Sequence, residues 1–241
     1  MGAPSLNEEE ISMNGMQKLG LAAAAALLSL APAAFATEAN LELTSGGSNV
    51  AYGVYIGPYT LTVNGVSTQM VCDDFADDSY LNETWTANLY SFSSLTNTKW
   101  GNQPGLYDQA AWLTLHLFSS PNAKESDAIQ YALWAVFDGS DVKTYLGSNG
   151  GASFYNDSSD ADGVAYWLNL AGQQNYTAGE FSNFQIYTPN TQDPMSCSTA
   201  GQNCPPQEFL LPNPEPRSIL LLATGLAALL LLRRRANRRL A

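Results

Sequence analysis

The sequence predicts an α+β fold, with a β-hairpin-rich N-terminal half, two to three helices in the second half, and a C-terminal transmembrane helix. Three observations carry this expectation. Residues 51–72, AYGVYIGPYTLTVNGVSTQMVC, are dense in β-branched and aromatic residues. Residues 106–137 hold two runs free of helix breakers, separated by Ser-Ser-Pro. Residues 219–232 are apolar without interruption and are followed by arginines.

Within the first half, Asn64-Gly65 separates two alternating runs, YTLTV and VSTQMVC. An Asn-Gly pair accepts the positive φ angles of a two-residue hairpin turn, so a hairpin is expected there. Its second strand ends at Cys72, with Met70 and Cys72 on one face. Leu106–Phe118, LYDQAAWLTLHLF, follows Pro104-Gly105 and reads as a helix. Asn122–Phe137, NAKESDAIQYALWAVF, reads as a second. Glu125 and Asp127 lie in its first turns, where the helix dipole favours acids. Ile129, Leu133 and Val136 or Phe137 form its apolar stripe. A third helix is expected over Val164–Ala171, after the polar loop YNDSSDADG, and a strand over Phe181–Thr188. Residues 37–190 then make one ectodomain, and 191–212 read as a stalk with a small loop closed by a Cys197–Cys204 disulfide.

Both ends of the chain read as export signals. Residues 16–36, MQKLGLAAAAALLSLAPAAFA, place Lys18 before a run of small and apolar residues that closes on Ala34-Phe35-Ala36. A charged start, an apolar stretch and a small-x-small site make a secretory signal peptide, so 1–36 is assigned to it. The acidic Glu8–Glu10 is foreign to such a signal, which points to Met13 or Met16 as the true start. At the other end, a transmembrane helix over 218–232 precedes a basic tail of Arg233, Arg234, Arg235, Arg238 and Arg239, which should stay cytoplasmic. The apolar run is short for a span of roughly 20 residues, and snorkelling arginines would make up the difference. Pro214-Glu215-Pro216, the apolar run and the arginine cluster, in that order over 213–241, resemble the PEP-CTERM sorting signal of Gram-negative bacteria. Asn213 and Arg217 stand where that signal often has Val and Ser. The resemblance implies passage through the inner membrane, transient anchoring, processing by an exosortase, and display on the cell surface or in an extracellular matrix.

Between Thr37 and Pro216 three lysines, Lys99, Lys124 and Lys143, face 19 acidic residues, a formal charge of −16. Such a surface repels nucleic acid and anionic lipid. About 180 residues suffice for one domain with a proper core. No P-loop, HExxH or GxSxG occurs, and His116 is the only histidine, so any Ser-His-Asp arrangement would depend on it.

The three cysteines leave one over. If Cys197 and Cys204 close their loop, Cys72 is an inert buried thiol, an intermolecular bridge, or a modified reactive thiol. VCDDF around Cys72 and, some sixty residues on, IQYALW around Gln130 resemble the two motifs of bacterial surface thioester domains. Ile129, Leu133 and Trp134 fill the flanking pattern, while Asp73 stands where that family often has a hydrophobic residue. The resemblance implies that Cys72 is the sulfur donor and Gln130 the acyl donor of an internal thioester, formed with loss of ammonia. Its target would be a surface amine or a polysaccharide hydroxyl. Tyr131, Trp134 and Trp112 are candidates for the dry wall that an activated acyl group needs.

Other constellations read as ordinary structure. His116 in WLTLHLF fits a packed or surface helix residue. Asp160, Asp162 and Gly163 have the spacing of half a calcium loop, but Ser158 and Asn169 occupy other ligand places, so a solvated turn is expected. Asp73, Asp74, Asp77 and Asp78 are a cation candidate with no motif behind them. The expectation is therefore an exported, exosortase-sorted surface adhesin that is not an enzyme and needs no cofactor or metal. The alternative is a non-covalent carbohydrate-binding or structural protein of the extracellular matrix. A secreted hydrolase would need paired carboxylates that no spacing singles out.

Overall fold

The computed structural model describes residues 38–47, 49–190 and 205–212 of the 241. The expected signal peptide, the Cys197–Cys204 loop, Pro214-Glu215-Pro216 and the expected transmembrane helix lie outside them. No helix among the described residues is long and apolar enough to cross a membrane.

Among the described residues the architecture is α+β, a six-stranded antiparallel barrel with four helices. The strands are β1 (Glu38–Ser45), β2 (Asn49–Ala51), β3 (Val54–Ile56), β4 (Tyr59–Val63), β5 (Val66–Cys72), β6 (Thr84–Ser91), β7 (Phe184–Pro189) and β8 (Phe209–Pro212). The barrel closes in the order β1-β4-β5-β8-β7-β6, and β2 and β3 form a separate two-stranded hairpin. The helices are α1 (Pro104–Ser119), α2 (Ala123–Ser148), α3 (Ala152–Asn156) and α4 (Val164–Gln173).

The expected hairpin forms as read. Val63 pairs with Val66, and Asn64 (φ 50) and Gly65 (φ 82) take the positive φ angles that this turn requires. Register carries the inner face around the barrel, because directly paired residues share a face. Tyr59 pairs with Met70, Cys72 with Phe209, and Phe209 with Tyr187. Phe209 packs its ring on Tyr59 and Trp85, at centroid distances of 5.7 and 6.0 Å. Cys72 therefore sits on the inner face, at the last position of β5.

Pro104 opens α1 at the first helical positions, and Asn122 caps α2 by accepting the Glu125 N–H at 3.1 Å. Two expectations about this half need correction. The second helix does not stop at Phe137. Asp138 leaves helical geometry there (φ −131, ψ 51), and the helix resumes to Ser148. Nor is its apolar side a stripe: every residue from Ala128 to Trp134 is buried, because this turn runs through the centre of the molecule rather than along its edge.

The stalk is corrected as well. Of residues 191–212, the described part 205–212 belongs to the domain, since Phe209–Pro212 is the barrel strand between β5 and β7. Without β8 the barrel would be left with two open edges. Phe209 and Leu210 are fully buried, which no stalk would require.

Candidate functional site

The end of β5 meets the buried turn of α2. Gln130 Nε2 donates to the backbone carbonyl of Cys72 at 2.8 Å, across 58 residues of sequence, and both residues are fully buried. The other half of the carboxamide has no partner: Gln130 Oε1 accepts no hydrogen bond. It lies against Gly57, where a Cβ would come within 2.7 Å of it. A buried polar atom left unmatched is costly and uncommon in folded proteins. Gln130 is thus hydrogen-bonded through one atom and unmatched at the other, a lack that both Asp73 carboxylate oxygens and the indole nitrogens of Trp85, Trp100 and Trp134 share.

Cys72 bends into the turn that follows it. Its Sγ donates to the Asp74 carbonyl at 3.1 Å and accepts the Asp74 N–H at 3.3 Å. Burial pushes the Cys72 thiol well above the ordinary range; Asp74 and then Asp73 add to the effect. The indole of Trp134 pulls the other way. Its N–H is close enough to favour the thiolate but is not aligned as a formed hydrogen bond, and is otherwise unpartnered.

An aromatic cluster is built on Tyr131 and Trp134, beside Gln130 on α2. Tyr131 and Trp134 pack edge to face at 5.1 Å, and Phe75 lies 5.3 Å from Trp134, 5.3 Å from Tyr145 and 6.4 Å from Tyr131. Tyr52 and Phe154 extend the cluster from Tyr131. Two tyrosines tether the β2–β3 hairpin over this region, Tyr131 donating to Ala51 O at 3.0 Å and Tyr145 to Tyr52 O at 2.8 Å. Tyr131 and Trp134 both belong to this aromatic cluster. Trp112 is elsewhere, its ring packed at a tilt against His116 and Trp167. Phe75 was missed, although it closes the VCDDF motif itself.

Of the acidic residues after Cys72, Asp74 and Asp77 are engaged within the turn, whereas the buried Asp73 oxygens have no hydrogen-bond partner. Asp74 is fully buried; its Oδ1 accepts the N–H groups of Ala76 and Asp77, and its Oδ2 is 2.5 Å from Lys99 Nζ, which also pairs with Asp77. Burial raises Asp74 to about 6 against the opposing pull of Lys99. Asp73 faces the other way, toward Glu208. Burial, then the charges of Glu208 and Asp74, raise it well above the carboxylate range. Glu208 accepts hydrogen bonds from Tyr107 at 2.6 Å, from the Lys99 backbone at 2.9 Å and from Thr188. Asp78 is exposed at the edge of the turn. Among the described residues no group of three His, Cys, Asp or Glu is arranged to hold a metal ion.

Elsewhere, His116 is packed between two indoles with Nδ1 2.8 Å from the Trp112 carbonyl, and sits outside the Tyr131–Trp134 cluster. The loop at 157–162 closes on itself, Asp157 and Asp160 accepting from the N–H groups two residues on, in turns that need no cation. No protein-family model, curated protein or solved structure matches the chain.

Proposed function

We propose that the protein is an exported, exosortase-sorted surface protein that attaches covalently to its target through an internal Cys72–Gln130 thioester. The observation that carries this reading is the buried contact of Gln130 with Cys72, with one carboxamide atom fixed and the other unsatisfied. The step balances within the chain. Cys72 Sγ bonds to the Gln130 side-chain carbonyl carbon, the C–N bond breaks, and the thiol proton leaves with the nitrogen as ammonia. The thioester then acylates an amine or hydroxyl of another surface, which regenerates the Cys72 thiol and leaves an amide or ester on Gln130. Each molecule acts once, so this is attachment and not turnover.

Burial suits each stage of that sequence. Holding the reacting groups together replaces an encounter with a local rearrangement. The shell of Phe75, Tyr131 and Trp134 keeps water from the activated acyl group until a nucleophile arrives. The test is capture of a fluorescent primary amine by the full-length protein, followed by peptide mapping. The expected label is on Gln130 of the wild type, absent from Cys72→Ala and from Gln130→Ala. Label spread over surface glutamines, or equal in all three proteins, would refute the reading.

A second reading is favoured by the thiol itself. Its raised pKa and its two hydrogen bonds to Asp74 also describe an inert core cysteine. The protein would then be a non-covalent matrix or carbohydrate-binding module, and Cys72→Ala would leave its binding unchanged.

A further inference from the structure

We propose that Gly57 is a positioning residue for the acyl group: the empty space at its Cα seats the Gln130 carbonyl beside the strand end that carries Cys72. The inference rests on the Cys72–Gln130 reading and extends it to a residue outside the pair.

The two halves of the carboxamide are held by different means. Nε2 is fixed by its hydrogen bond to Cys72 O, whereas Oε1 has no donor and is placed by shape alone. Gly57 supplies that shape, since a Cβ there would approach Oε1 to 2.7 Å and the Tyr59 ring to 3.0 Å. A left-handed backbone is not the reason for glycine here, although the peptide bond to Pro58 is cis. Gly57 is not among the residues with positive φ, and a residue before proline favours an extended conformation that alanine also adopts. Nor can Tyr59 yield easily. Its hydroxyl donates to Tyr55 O at 2.7 Å, and its ring packs on Phe209 inside the barrel. A methyl group at position 57 therefore displaces the Gln130 carboxamide, the one neighbour with an unanchored atom. A misplacement of about 1 Å between reacting groups costs up to roughly 100-fold in rate.

The experiment is the intact mass of full-length wild type, Gly57→Ala and Gly105→Ala, with thermal melts of each. Gly105 is the control because a Cβ there meets nothing. The ammonia-deficient species should fall in Gly57→Ala to less than about a tenth of the wild-type fraction. The melt of that variant should stay cooperative, and Gly105→Ala should match wild type. A wild-type fraction in Gly57→Ala would overturn the proposal. The melts are repeated in a Gln130→Ala background, where the clashing atom is gone. There Gly57→Ala should lower Tm less than it does in wild type, and the double variant should fold even if the single one does not. An equal loss in both backgrounds, or a double variant that also fails to fold, would overturn the proposal too. A wild-type mass with no deficit would instead remove the thioester reading, and the paired melts would still decide whether Gly57 seats Gln130.

Discussion

At Cys72 burial has two opposed effects. It suppresses the thiolate, which protects the sulfur from outside reagents, and it keeps solvent from the Gln130 amide that bonds the Cys72 carbonyl. Phe75 is the half-buried piece of that enclosure, on the turn after β5 and outside the barrel. Phe75→Ala should therefore admit water. The ammonia-deficient mass should decay faster in buffer, on the order of tenfold, equivalent to about 1.4 kcal/mol of barrier. An unchanged decay would remove Phe75 from the wall. Cys72, Gln130, Tyr131 and Trp134 could be proposed from the sequence because each falls in a short motif. Gly57 left no trace there, since its contribution is a missing atom. Lys99 and Glu208 were also invisible, because each meets the turn at Asp73 and Asp74 only once the chain has folded over it.

Among the elements, the Asn64-Gly65 hairpin could be read locally from its turn pair, and the starts of α1 and α2 to within two residues. The fate of 205–212 could not. Proline-rich and polar flanks suggest an extended tail, and only pairing with β5 and β7 turns FLLP into a strand. The end of α2 was misplaced for a related reason: Asp138-Gly139 is a local break, and packing carries the helix past it. The placement of β8 leads to a direct expectation. A chain ending at Asn190 should fail to give a cooperative thermal melt, whereas one ending at Pro212 should melt cooperatively. Phe209→Ala in the longer chain should cost about 3–5 kcal/mol, as for a fully buried aromatic ring. A folded protein ending at Asn190 would restore the stalk.

Over the whole molecule the acidic excess dominates. Asp74 and Asp127 are raised to about 6, and Asp73, Glu83, Asp108 and Asp138 move in the same direction, chiefly through burial; Asp157, held by Ser159, moves the opposite way. A carboxyl whose folded pKa is raised binds its proton more tightly when folded. Its stabilising contribution is complete below the ordinary carboxylate pKa and is lost as pH rises through the folded value. The protein should thus melt higher at pH 5 than at pH 7.5. Asp74 alone would supply about 1–2 kcal/mol, or roughly 2–6 °C, and Asp74→Asn should remove that share. A Tm that falls on acidification over this range would contradict the linkage. The most direct measurement of all is the intact mass of the purified full-length protein before and after methylamine, allowing for any Cys197–Cys204 disulfide. The expected result is a chain one ammonia lighter than its sequence, which takes up one methylamine at Gln130 and exposes a Cys72 thiol. An unmodified mass with no amine uptake would contradict the thioester and leave Cys72 as a buried thiol of the core.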